Sequence, residues 1–328
     1  MVHGIVSASL LAGSILLLLR HLMPENRTPW QTFGLWCCLL APAPVFMTLQ
    51  GGQANTLVLA SFVFALRMVQ KRVFWLAAFI IAAGFWFKLY PLALIALFGV
   101  SEKNSGIIWR TLMVTVALAV VALPVIPMAL HHEYFGSFLP NLQRYTLPGI
   151  AHSLSAQLLY FQEPAPVALP LFRSVVIPGG LNLLSKGILL PGLLLSMLHM
   201  RLEGRRAPFE ALALLLVTLL IASPLAWGHH FVLILPALAA VLIRLADNKA
   251  GLAESLIAVL CWLQFALPSW TSLPFAVGDG WSGRIIAHLF YARYLLAAFG
   301  LGGLIVAARA REYGPALKIL AEKMKPAR

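Results

Sequence analysis

Four short polar clusters interrupt an otherwise apolar sequence, and each has residue types that can do chemistry. The first is Gln50-Gly51-Gly52-Gln53-Ala54-Asn55. It reads either as a plain turn with Asn55 capping a helix or as a set of amides, Gln53 and Asn55 foremost, that hydrogen-bond sugar hydroxyls. The second is Phe87-Lys88-Leu89-Tyr90-Pro91. A lysine at membrane depth costs about 2.5–3.5 kcal/mol on insertion scales. Lys88 therefore either snorkels to an interface beside Tyr90 or serves a phosphate, which its compact charge suits. The third is His152-Ser153-Leu154-Ser155-Ala156-Gln157. No Gly-x-Ser-x-Gly elbow or partner carboxylate surrounds its His–Ser pair, which argues against a serine hydrolase. The fourth is Ser223-Pro224-Leu225-Ala226-Trp227-Gly228-His229-His230. Neighbouring residues on a helix point about 100° apart, so the two histidines cannot face one metal as a pair four apart can. His131-His132 offers only another adjacent pair, and no metal site is predicted. One histidine acting as general base or hydrogen-bond donor, with its neighbour structural, is the more natural chemistry.

The segments that must position these clusters are set by composition. Of 328 residues, 61% are hydrophobic and only 35 are charged, 24 basic against 11 acidic. Mean hydropathy is +0.88. A soluble domain is roughly 45–50% apolar and about a quarter charged, so a soluble globular enzyme, a disordered chain and a collagen-like fibre are all excluded. The apolar residues come in long runs rather than alternating, which excludes a transmembrane β-barrel. An all-α, polytopic membrane bundle remains. The net charge of +13 fits basic membrane loops, and no basic stripe carries the interleaved aromatics of a nucleic-acid surface. Cys37, Cys38 and Cys261 lie inside apolar runs and read as packing residues.

Apolar runs fall at roughly 4–20, 33–49, 55–70, 73–87, 89–100, 107–130, 178–200, 207–226, 229–246, 252–270 and 285–308, predicting about 10–11 membrane segments. The pair 73–87 and 89–100 is short and predicts a broken hairpin at Lys88–Pro91. Eighteen of the 24 basic residues fall in one set of loops and the tail after 308, which predicts that this set and the C-terminus are cytoplasmic. The other face then carries 50–54, Lys88–Pro91, the long segment 131–174, the turn 223–230 and 271–284. Few acids lie on it: Glu133, Glu163 and Asp279. Two units are expected, a membrane domain over 1–308 and a basic amphipathic tail over 309–328. This topology puts the N-terminus outside, as though an outward-running helix preceded it.

The four clusters, in order and spacing, resemble glycosyltransferase family 87, where they read roughly G-Q-x-N, K-x-x-P, N-x-S-L and S-P-x-x-W-x-H-H. His152 stands near where the family usually has asparagine. The resemblance implies a bundle of the C-type glycosyltransferase fold in the bacterial plasma (inner) membrane, with its active site on the outer face. It implies transfer of a hexose, usually mannose, from a polyprenyl-phosphate donor to a glycolipid or glycan acceptor, with inversion and with no resident cofactor. On it, Lys88 binds the donor phosphate, His229 and His230 are the catalytic candidates, and Trp227 stacks on a sugar. Gln53, Asn55, Tyr90, His152, Ser153, Gln157 and Ser223 are the remaining substrate-binding candidates. The family's base involves an aspartate in the first outer loop, and no aspartate precedes Asp247 here. The expectation is a truncated gene product or a shortened, inactive member, with Glu133 or Asp279 as substitute bases. The rival classes are a transporter or lipid flippase using the same cavity, and a non-catalytic membrane subunit. Against the transporter, no inverted repeat is found and the polar groups cluster at helix ends.

Overall fold

The computed structural model describes residues 2–24, 27–99, 106–122, 124, 127–138, 141, 145–146, 151–162, 175–224, 226–267 and 281–323. Asp279, Glu163, much of segment 131–174 and the last five residues lie outside these. The described chain is almost entirely helical, as the long apolar runs predict. The α-helices are α1 (Val2–Leu22), α2 (Pro29–Leu40), α3 (Ala43–Gln50), α4 (Asn55–Gln70), α5 (Phe74–Phe87), α6 (Leu94–Gly99), α7 (Gly106–Ala122), α8 (Met128–Glu133), α9 (Leu154–Gln162), α10 (Gly179–Met200), α11 (Ala207–Ala222), α12 (Leu235–Ala246), α13 (Leu252–Ala266) and α14 (Trp281–Lys323). Two 3-10 turns matter for the site, Tyr90–Ala93 and Gly228–Ile234. The one strand pair among the described residues, β1 (Tyr145–Thr146) and β2 (Val175–Val176), is antiparallel, with Tyr145 opposite Val176. It joins a point inside the long segment 131–174 to the residues just after its end.

Among the described residues, four helical stretches are long and apolar enough to cross a membrane: His3–Leu22, Gly179–Met200, Gly228–Ala246 and Tyr291–Pro315. A fifth crossing arises if α2 and α3, bent by 63° at their junction, count as one span. Pro42 sits at that junction and Pro44 follows in the first turn of α3, where proline opens a new helix but cannot continue the old one. Six further apolar helices are shorter. Several apolar runs in the sequence are thus longer than the helices they contain. The run 107–130, for example, ends as a helix at Ala122 and resumes at Met128. The tail is not a separate helix: α14 continues from the apolar run through Pro315 to Lys323.

The core lies between α1, α4, α5, α11, α12 and α14, and α11 is buried along most of its length. Small residues let helices approach closely, as is usual between membrane helices. A side chain added at Gly84 of α5 would collide with Ser61 of α4, and one at Gly192 of α10 would collide with Thr218 of α11. Hydrogen bonds between them gather the four polar clusters at one end of the bundle.

At the other end, basic residues from separate loops converge. Arg27 and Arg206 both donate to the Asp247 carboxylate, joining the connections before α2, before α11 and after α12. Arg205 donates to the Arg20 carbonyl at 2.5 Å, and Arg309 donates to Glu210 at 3.0 Å. The Arg27 and Asp247 side chains are only 5% and 9% exposed. Burial alone would raise the Asp247 pKa, but the hydrogen bonds from Arg206 and Arg27 outweigh it and hold the carboxyl below its ordinary value. A carboxyl depressed in the folded state stabilises above its unfolded pKa of about 3.9 and loses that contribution as pH falls through the folded value. Removing one partner of a buried pair costs about 3–5 kcal/mol. Asp247→Ala is therefore expected to cost about 3 kcal/mol in thermal unfolding of the detergent-solubilised chain at pH 7. The gap from wild type should close progressively below about pH 4.

Candidate functional site

The site is built where α3 ends, α4 begins, α5 ends and the turn after α11 crosses over them. α5 stops at Phe87 because the next residue is fully extended: Lys88 has φ −157° and ψ 147°. Pro91, which cannot donate a backbone hydrogen bond, then opens a 3-10 turn. The broken hairpin expected at Lys88–Pro91 is present, and the break throws the lysine side chain away from Phe87 and Leu89 toward the bundle end.

There the Lys88 ammonium meets two neutral partners from distant parts of the chain. Nζ donates to Asn55 Oδ1 at 2.6 Å and lies 2.8 Å from His230 Nε2. Asn55 is fully buried and does not cap α4. It is the first residue of that helix, and its Nδ2 donates to the His229 carbonyl at 3.1 Å. That bond fixes the amide with its oxygen toward the lysine. Thr48, at the end of α3, donates to the same carbonyl at 2.7 Å. Among the described residues no carboxylate pairs with Lys88, so the cation is held in place without being neutralised.

The two histidines divide their work. His230 is buried, its backbone N–H donates to the Trp227 carbonyl at 2.8 Å, and its Nδ1 lies 3.2 Å from the Trp227 backbone N–H. The neutral imidazole has a single lone-pair nitrogen, yet backbone N–H and lysine approach opposite sides of this ring. His229 is half-buried. Its backbone carbonyl carries the bonds from Thr48 and Asn55, while its ring makes no hydrogen bond among the described residues. The ring stands edge-on to Trp227, centroids 5.4 Å apart, and to His230 at 4.5 Å. The Trp227 indole N–H is shielded from solvent and has no hydrogen-bond partner among the described residues. Such an orphan is costly unless a ligand satisfies it.

The third cluster braces this turn. His152 N–H donates to the Ala226 carbonyl at 2.7 Å, and Ala151 bridges to Trp227 in antiparallel fashion. Ser153, wholly buried, donates to the Pro224 carbonyl at 3.2 Å and accepts from the Ala156 N–H at the start of α9. Gln157 Nε2 donates to the Ala151 carbonyl at 2.8 Å. His152 Nδ1–H donates to the Tyr291 carbonyl on α14 at 2.9 Å. Burial drives its pKa down to about 4, which keeps the ring neutral at physiological pH. The side chains of Ser153 and Gln157, and the His152 Nδ1, thus bond to the chain itself. Tyr90 and Ser223 meet hydroxyl to hydroxyl at 2.8 Å, tying the 3-10 turn after Lys88 to the end of α11. Gln53 lies half-buried after Gly52, whose φ of +60° the turn requires, and its side chain makes no hydrogen bond among the described residues.

All four sequence clusters thus meet at one end of the bundle, and Asn55, Lys88, Trp227, His229 and His230 form its centre. Sequence reading missed Thr48. Its only signal is a lone hydroxyl near the end of an apolar helix. Among the described residues no group of three or more His, Cys, Asp or Glu side chains is arranged to hold a metal ion. The unneutralised ammonium, the orphaned indole N–H and the open imidazole suit an anionic leaving group beside a hydroxyl-bearing ring.

Comparison with known proteins identifies the family. The sequence model of glycosyltransferase family 87 matches residues 2–226. Among curated proteins none matches the chain. The matched span holds the first three clusters and the start of the fourth, ending just before Trp227, His229 and His230. It covers well over half the sequence, and the chain belongs to glycosyltransferase family 87, a family of membrane glycosyltransferases.

Proposed function

We propose that the chain transfers a hexose, with mannose the first sugar to test, from a polyprenyl-phosphate donor to a lipid or glycan acceptor. The observation that carries this reading is Lys88: a lysine held by an amide and an imidazole, with no carboxylate on it, at the end of an apolar bundle. A nucleotide-sugar enzyme must bind a soluble, multiply charged diphosphate, whereas one compact ammonium matches one lipid-borne phosphodiester. As the bond between the anomeric carbon and the phosphate oxygen breaks, the leaving phosphate gains charge. A pre-positioned cation in a water-poor site stabilises that charge more than it stabilises the intact donor.

In this reading His230 and Asn55 position Lys88. The half-exposed His229 ring faces the reacting groups and takes the proton of the acceptor hydroxyl. Trp227 stacks on a sugar and donates its indole N–H to a hydroxyl. Gln53 is placed to bond a second hydroxyl, while His152, Ser153, Gln157, Tyr90 and Ser223 hold the walls. The reaction takes place at the outer face of a bacterial plasma membrane, with the arginine-rich end in the cytoplasm.

Competition by lipid analogues tests the donor class. With the purified chain in proteoliposomes, an unglycosylated polyprenyl phosphate should inhibit transfer strongly. The matching uncharged polyprenol, with the same chain and no phosphate, should inhibit at least tenfold more weakly. Equal inhibition by both would remove the phosphate from the recognition chemistry and the reading with it.

A further inference from the structure

A second feature lies on the other side of the extended Lys88 backbone. Phe87 and Leu89, which flank the lysine in sequence, line a cleft of about 500 Å³ between the end of α5 and the segment 130–138. This falls within the roughly 300–1,000 Å³ range of small-molecule sites. Trp86, Phe87, Tyr134 and Phe138 supply much of its aromatic wall, with Tyr134 and Phe138 stacked at a centroid distance of 5.6 Å. Residues 134–138 form a π-helical turn, an irregularity that is frequent at functional sites.

Two polar groups line the cleft, one exposed and one with a nitrogen shielded from solvent. Glu133 lines it and makes no ion pair among the described residues. His131 lines it too, and its Nε2 is shielded from solvent without a hydrogen-bond partner among the described residues. A hydrocarbon chain would leave the shielded His131 Nε2 unsatisfied, and a phosphate would meet the exposed Glu133 carboxylate as a like charge. A neutral ring with polarised C–H faces and several hydroxyls satisfies everything present. Its faces lie on the electron-rich faces of the aromatic rings, one hydroxyl donates to Glu133, and another pairs with His131.

We infer that this cleft is a carbohydrate subsite that takes a neutral pyranose of the acceptor, on the far side of the Lys88 strand from the donor phosphate. The inference rests on the glycosyl-transfer reading for the word acceptor, while binding of the sugar itself does not depend on turnover. Glu133 and His131 select hydroxyls there, and the aromatic wall excludes charged headgroups.

Saturation-transfer NMR on the full chain in lipid nanodiscs tests it, with methyl α-mannopyranoside as the probe. Saturation of the probe's ring protons is expected in wild type. It should fall at least fivefold in Trp86→Leu and at least threefold in Glu133→Gln. Trp86→Phe, which keeps an aromatic wall, should retain more than half the signal and so control for folding. Farnesyl phosphate should not displace the probe. No signal, a signal indifferent to all three substitutions, or displacement by farnesyl phosphate would each overturn the inference; the last would make the cleft a prenyl-chain site. The same nanodiscs assayed for transfer separate the two readings. Binding without transfer from a lipid-linked donor would fault the proposed function alone, and transfer with an acceptor KM unchanged in Trp86→Leu would fault this inference alone.

Discussion

Lys88→Met should lower glycosyl transfer by about a hundredfold or more while leaving the amount of folded protein in the membrane close to wild type. The magnitude follows from the cost of removing a single pre-organised group from a developing anion, about 10²–10³ in kcat. The chain should tolerate the change because methionine keeps most of the aliphatic length of the side chain and removes a charge that no carboxylate neutralises. Its partners Asn55 and His230 retain their other bonds, to the His229 carbonyl and to the Trp227 backbone. Lys88→Arg should rescue only in part. A planar guanidinium cannot occupy the position of a compact ammonium 2.6 Å from one partner and 2.8 Å from the other. Wild-type turnover in Lys88→Met would remove the phosphate role.

The second large effect is expected at His229, and it should differ in kind from that at His230. His229 has a half-exposed ring whose nitrogens make no hydrogen bond among the described residues, and its structural work is done by its backbone carbonyl. His229→Gln therefore preserves the fold and should lose about 10²–10⁴ in kcat, the usual contribution of a general base, with the KM for the donor little changed. His230 is buried and touches Lys88 directly. His230→Gln should raise the donor KM together with its fall in kcat, because it displaces the lysine proposed to hold the donor phosphate. Matching kcat and KM changes in the two variants would mean that the histidines act as one structural unit and that the base lies elsewhere.

Much of this was legible in the sequence, and the reasons for the remainder are physical. Composition and long apolar runs identify a helical membrane bundle because little else can accommodate so few charges. The break at Lys88-Leu89-Tyr90-Pro91 was readable since proline and a charge coincide between two short runs. The gathering of arginines at one end followed from counting them by loop, and the structure adds that Asp247 ties two of them together.

What could not be read is pairing across long separations. Asn55, Lys88 and His230 lie 33 and 142 residues apart along the pairs that touch. No local pattern announces that Asn55 serves a lysine instead of a helix cap. Nor does spacing tell which of two adjacent histidines is buried. That depends on the 3-10 turn at Gly228, where the Met47 side chain and the Tyr294 ring pack close against the backbone. The apolar run 207–226 outlasts its helix, which ends at Ala222, because the residues after a membrane helix can share its apolar composition. The helical spacing of Leu317 and Leu320 was readable in the tail, but not that α14 runs on through Pro315 to Lys323 as one helix. The bundle packed against the preceding turns stabilises the helix beyond what local propensity offers.

The central claim is tested most directly by supplying radiolabelled polyprenyl-phosphate-mannose to the purified chain in proteoliposomes and following label into the lipid fraction. The account predicts a labelled glycolipid whose new glycosidic bond is inverted relative to the donor, with nucleoside-diphosphate-mannose giving none. Intact donor appearing on the opposite leaflet, with no new glycosidic bond, would contradict it and identify the same cavity as a path for moving lipid.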